Sequence, residues 1–174
     1  MSGPPQDDAP LRIARAMFWA VMAAAALYVV RAYPALPDPL ASTFGAGGRP
    51  TGWMSRRAFV TIFGAVYLFT SAAVGLLPLR RMRGAGLNLP HREYWLSPER
   101  IEHTLLSVQT QLTWIGTATQ VLMLTVFRMT ETANRLDPPR LEMAGFWIVF
   151  LGYMIFIVAW TIHLLRRFSR VPHA

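Results

Sequence analysis

Five residues in one short stretch carry the side chains that a cation site uses: His91, Glu93, Glu99, Glu102 and His103. Imidazole and carboxylate are ordinary ligands for zinc or manganese. Their spacing matches no zinc pattern, because there is no His-Glu-x-x-His helix and His91-x-Glu93 lacks the cysteines of a deaminase. Glu99, Glu102 and His103 fit better at the start of a helix, where acids offset the dipole. The 174-residue chain has no cysteine, which removes disulfides, thiolate metal sites, iron–sulfur clusters and thiol nucleophiles. Ser42, Ser55 and Ser97 lack the glycine elbow of a serine hydrolase, and Gly45-Ala46-Gly47-Gly48 lacks the lysine and following helix of a phosphate loop. That glycine run reads as a flexible turn. The expectation is a protein that is not an enzyme, with no catalytic residue, no metal and no cofactor.

A second set of polar residues falls at helical spacing within an apolar stretch: Gln109, Thr113, Gly116, Thr117 and Gln120. One face bearing these groups either lines a small polar path or supplies interhelical hydrogen bonds, worth on the order of 1 kcal/mol each. Ala16, Ala20 and Ala24, and Ser71 with Gly75, are candidate close-contact faces on neighbouring helices. No ionisable residue stands in the middle of an apolar run, which argues against an ion-coupled pump.

The elements that must position these residues are read from hydropathy. Hydrophobic residues make up 53% of the chain and charged residues 15%, against about a quarter charged in soluble domains, and the mean hydropathy is +0.33. Apolar runs near residues 13–36, 58–79, 104–127 and 143–165 approach or exceed the roughly 20 residues needed to cross a bilayer. The first resembles a signal peptide, but no clean cleavage site follows it and a retained anchor is expected. Residues 1–10, rich in proline, are expected to form a disordered tail, and residues 11–174 a single membrane domain. Ser97-Pro98-Glu99 reads as the cap and first turn of the third long helix. All 17 basic residues are arginine and the net charge is +8. They cluster at the ends of apolar runs, so they point to lipid head groups and topology, not to nucleic acid. With the N-terminus inside, ten arginines lie on the cytoplasmic side and seven outside, which favours both termini inside. The expected fold is an all-α, integral-membrane four-helix bundle with an ordered extracytoplasmic loop after its first helix.

That loop reads Leu36-Pro37-Asp38-Pro39-Leu40-Ala41-Ser42-Thr43-Phe44, then Gly45 to Arg49, then Pro50-Thr51-Gly52-Trp53-Met54-Ser55-Arg56. It resembles the signature of a bacterial membrane family catalogued as domain of unknown function 1648, which runs roughly L-P-x-x-I-P-x-H-F-x-x-x-G-x-P-D-G-W-x-S-K after a first transmembrane helix. Leu36, Pro37, Phe44, Gly48, Pro50, Gly52, Trp53 and Ser55 match outright, and Leu40 and Arg56 match in kind. Ala41, Thr43 and Thr51 replace a proline, a histidine and an aspartate. A second stretch, Asn88 to Arg100, looks like another run of that family, with Pro90, Arg92, Glu93, Tyr94 and Trp95 as its cytoplasmic loop motif.

The resemblance implies a multi-pass protein of the bacterial cytoplasmic (inner) membrane with an SdpI-like sensing, immunity or binding role. The lipid bilayer is one partner; read from its residues alone, the loop is either a structural lid tying the first two helices together or a recognition loop for an extracytoplasmic peptide or a membrane-protein partner. A structural accessory subunit of a larger membrane complex is the other reading. Independently of the family, Trp53 is the expected interfacial anchor of the loop, aimed by a turn at Pro50 and Gly52.

Overall fold

A computed structural model describes residues 8–76 and 87–170. The expected tail up to residue 7, the end of the second apolar run and the Arg80–Arg83 cluster lie outside the described residues. Five α-helices are described: α1 (Ala9–Ala32), α2 (Arg56–Gly75), the short α3 (Arg92–Trp95), α4 (Ile101–Ala133) and α5 (Met143–Ser169). Ala9 and Pro10 were expected in the tail but belong to the first turn of α1, where a proline lacks only a hydrogen bond that the turn does not make. The helix continues into a 3-10 turn, Tyr33–Ala35.

Three segments are long and apolar enough to cross a membrane: Ala9–Ala35, Arg56–Gly75 and Met143–Ser169. The expected span at 104–127 is not among them. It lies within α4, whose 33 residues extend about 50 Å, and whose glutamines and threonines lower its hydropathy. α4 is the helix on which the others assemble, with α1 and α2 packed along it and α5 touching it more lightly. Its polar face therefore points inward: Gln109, Thr113 and Gln120 are buried, as are Thr104, Thr110 and Thr117. Most threonine hydroxyls return to the carbonyl one turn back, as Thr110 does to Leu106 and Thr117 to Thr113. Lipid-facing surface is left to apolar side chains, and α5 exposes Ile148, Leu151, Ile155, Val158, Ile162 and Leu165.

At the tightest crossing two helix backbones almost meet. A Cβ built on Gly116 would stand 2.8 Å from the Gly75 Cα, and one on Gly75 would stand 2.3 Å from the Phe18 ring. Phe18, with no exposed surface, closes this point from α1, and the Thr113 hydroxyl donates across it to the Gly75 carbonyl at 3.1 Å. Ser71 and Gly75 thus form part of a buried face of α2. Ala16, Ala20 and Ala24 do not form its counterpart. They are exposed, and α1 instead turns Leu11, Ala14, Phe18, Ala25 and Ala32 inward. The alanine stripe looked suitable by size, yet the glycine pair leaves a notch that only a large ring fills.

The expected loop after α1 is ordered, but not as coil. β1 (Leu40–Phe44) and β2 (Pro50–Met54) form an antiparallel hairpin, so the fold is mostly helical with one small sheet rather than all-α. Pairing runs Leu40 with Met54, Ala41 with Trp53, Thr43 with Gly52 and Phe44 with Pro50, with an irregularity between Ala41 and Thr43. Proline is tolerated because it begins a strand of a sheet that is all edge. At the far end, α4 begins at Ile101 with Arg100 as its flanking residue. Ser97 supplies its carbonyl to Arg100 and Ile101, not a side-chain cap.

Gly116→Ala should therefore destabilise the fold by about 1–3 kcal/mol through overpacking against backbone. Gly64→Ala, where a Cβ meets nothing within 4 Å, should not. Unfolding of both variants in the same micelle, followed by circular dichroism, checks the contrast.

Candidate functional site at the hairpin end

The hairpin is held by main-chain contacts to elements far away in sequence. Asn134, at the C-terminal cap of α4, accepts from the Ala41 backbone N–H at 2.7 Å and donates to the Ala41 carbonyl at 2.8 Å. Its amide also donates to the Thr130 carbonyl at 2.9 Å, which fixes its orientation. Asn134 is buried and Ala41 wholly so. A buried primary amide paired with one peptide unit satisfies both sides, which otherwise costs about 1–3 kcal/mol per orphaned group.

A second fastener is the turn. Gly48 has φ of +74°, a left-handed conformation open to glycine at little cost. Its carbonyl accepts from the Leu141 N–H at 2.9 Å, and a Cβ there would fall 2.2 Å from the Leu141 carbonyl oxygen. Arg56 is the third. Its guanidinium donates to the Pro34 and Leu36 carbonyls at 3.2 and 3.3 Å and lies 4.8 Å from the Tyr33 ring centroid. A cation here complements the exposed carbonyls where the α1 segment ends.

Beneath the hairpin is an aromatic layer. Phe127 of α4 is fully buried, with Phe59 and Phe63 of α2 at ring-centroid distances of 5.6 and 4.9 Å, and with Ala32 and Leu36. Between this layer and the hairpin sits Glu131, buried, accepting from the Tyr28 hydroxyl and from Arg135, both at 2.5 Å. The sequence reading singled out neither Glu131 nor Asn134. Glu131 lies one turn past the apolar run, and the one available signal was an acid, an asparagine and an arginine closing a helix end.

The structure distributes the expected loop residues between two tasks. Leu36 is buried in the aromatic layer and Ser55 caps α2, accepting from the Ala58 N–H at 3.2 Å. Gly48 touches Leu141, and Gly52 lies so near Thr43 that a Cβ would stand 2.4 Å from its hydroxyl oxygen. Phe44 and Pro50 are half-buried, and Pro37 is exposed. Trp53 does not pack into the protein. It is 53% exposed, whereas Leu40 and Ala41 on the paired strand have no exposed surface. Alternation along β2 accounts for it: Pro50, Gly52 and Met54 are half-buried, whereas Thr51 and Trp53 are exposed.

The other expected groups lie elsewhere. Pro90, Tyr94 and Trp95 are half-buried, while Arg92 and Glu93 are exposed. Trp95 donates its indole N–H to the Phe168 carbonyl at 2.7 Å, and the two rings meet edge to face at 5.2 Å. This stretch therefore binds the end of α5 to the start of α4. In the interior, the Gln120 amide, the Ser71 hydroxyl and the Tyr67 hydroxyl are buried without a hydrogen-bond partner among the described residues. No three of the His, Asp and Glu side chains among the described residues gather at a spacing suited to a metal.

With the hairpin and its two flanking helices in place, comparison with known families becomes informative. Residues 20–70 match the family described as Domain of unknown function (DUF1648). No curated protein and no solved structure matches the chain. The DUF1648 segment takes in most of α1, the whole hairpin and most of α2, while the second stretch, Asn88 to Arg100, lies outside it. Phe127, Glu131, Asn134 and Leu141, which hold the DUF1648 hairpin down, also lie outside it.

Asn134→Ala should cost about 1–3 kcal/mol by leaving the Ala41 peptide unit unpaired. It should also raise amide hydrogen exchange selectively in residues 40–54, read by peptide-level mass spectrometry. Exchange unchanged in the hairpin would show that the amide is not its fastener.

Proposed function

We propose that the chain is a non-enzymatic, multi-pass protein of the bacterial cytoplasmic membrane whose hairpin recognises an extracytoplasmic peptide or a membrane-protein partner, in an SdpI-like sensing, immunity or binding role. In this reading α4 crosses the bilayer with the other three long helices, making a four-helix bundle with both termini cytoplasmic. The observation that carries it is the division of labour within the hairpin. Three independent fasteners act on main chain or on the buried strand, and the side chain left out is an indole. Rigidly held, exposed aromatics supply large contact area at low entropic cost, which is what binding sites use.

The alternative reading, an accessory subunit of a larger membrane complex, draws on α5. That helix is the least engaged with the rest of the protein, and its open apolar face suits a neighbouring helix as well as lipid. Purification in mild detergent separates the two, since an accessory subunit brings a stoichiometric partner.

Trp53→Ala should change stability by no more than about 0.5 kcal/mol, as exposed substitutions do, while abolishing capture of the partner by a photocrosslinker placed at Thr51. Loss of stability and capture together would assign the ring to packing. For topology, reporter fusions after Gly48 and Leu136 should read extracytoplasmic, and fusions after Leu89 and Arg170 cytoplasmic. A cytoplasmic Gly48 reverses the orientation.

A further inference from the structure

The hairpin end holds a groove that none of the contacts above requires. One cavity of about 370 Å³ is lined by Thr125, Arg128, Met129, Arg140 and Leu141, among others, and a second of about 490 Å³ shares Arg140 and Leu141 and reaches Ala46 and Gly47 in the hairpin turn. Together they run from the side of α4 to the turn, at sizes typical of ligand sites. Among the described residues neither Arg128 nor Arg140 forms an ion pair. Arg128 stands 5.5 Å from the Tyr28 ring centroid, and the Arg140 backbone is held by the Ala133 carbonyl at 3.1 Å. Glu142 also lines both cavities, but its carboxylate accepts from the Gly145 N–H at 2.7 Å and faces the positive start of α5.

We infer that this groove binds the phosphate of an anionic phospholipid in the leaflet on the hairpin side. The Arg140 guanidinium, with no ion pair among the described residues, and the Arg128 guanidinium, held beside Tyr28, give the groove two forked cationic donors suited to phosphate. This rests on the proposed reading in which α4 crosses the bilayer: Arg128, directly after Phe127 at the end of an apolar run, then stands where head groups meet hydrocarbon. Met129, Leu136 and Leu141 give the groove apolar walls. α4 and α5 are only lightly packed, and exposed Val121 on α4, about two turns before Arg128, with Trp147 and Phe150 on α5, supplies apolar surface away from the arginines. An acyl chain finds cover there, whereas a soluble acidic peptide has nothing to place on it. A zwitterionic head group would bring an ammonium against the two arginines.

The test is native mass spectrometry of the full chain after exchange into detergent with added phosphatidylglycerol or phosphatidylcholine. The wild-type chain should retain one phosphatidylglycerol and not retain phosphatidylcholine. The Arg128→Gln, Arg140→Gln double variant should lower the retained fraction about tenfold, in line with the loss of charge-assisted hydrogen bonds. Arg49→Gln, on the exposed hairpin outside the groove, should leave retention unchanged. Arg140→Gln alone should lower it severalfold, and its side chain makes no hydrogen bond or ion pair among the described residues whose loss could unfold the chain. Equal retention by wild type and the Arg140 variant, or equal retention of the two lipids, overturns the assignment. Displacement of the lipid by millimolar inorganic phosphate overturns it in favour of a free anion.

Discussion

The nearness of α2 to α4 is the constraint from which the rest of the packing follows. Gly75 and Gly116 bring two backbones into contact, and Phe18 of α1 is held in the angle between them. Lipid tails are as apolar as leucine, so helices in a bilayer associate through such close packing and through polar groups turned away from lipid. Both devices are concentrated on α4. Its glycine sets the crossing, Gln109, Gln120 and most of its threonines face inward, and its Phe127 carries the aromatic layer at the other end.

That layer turns a helix pair into a platform. The polar groups above it are arranged in tiers: the Tyr28–Glu131–Arg135 network first, then Asn134, then the hairpin. A buried carboxylate so close to apolar rings is tolerable because it has both an uncharged donor and a charged one. The hairpin adds little hydrophobic area of its own. Its order comes from backbone groups that find partners on α4 and on the α4–α5 connection, with Arg56 tying the start of α2 to the end of the α1 segment beside it.

Legibility in the sequence tracked how local each interaction is. Apolar runs and proline stops are local, and they located α1, α2, α4 and α5, although α4 continues six residues past the expected end at 127. The hairpin was hidden because its strands are five residues long and carry prolines and glycines, which read as loop without the long-range partners that pin them. The inward stripe of α1 was misassigned for a similar reason. Alanines suggest close contact, but the deciding fact was a notch made by two glycines on other helices. Asn134 offered only the weak signal of an asparagine at a helix end, because the peptide unit it bonds is 93 residues away. The exposure of Trp53 was equally invisible, since it depends on which residues of β2 meet the rest of the protein.

The Asn134 contact has a consequence for modularity. An amide that clasps a peptide bond reads chain direction and position, not the identity of a side chain, so the outward residues of both strands can vary without loosening the clasp. The clasp itself is not portable. A transplant of residues 20–70 into another membrane scaffold would carry the hairpin and its tryptophan but leave behind the residue that grips it, together with the phenylalanine floor and the Leu141 seat for its turn. The family segment and the helix that follows it are thus one mechanical unit, whose boundary in space does not coincide with the boundary of the sequence match.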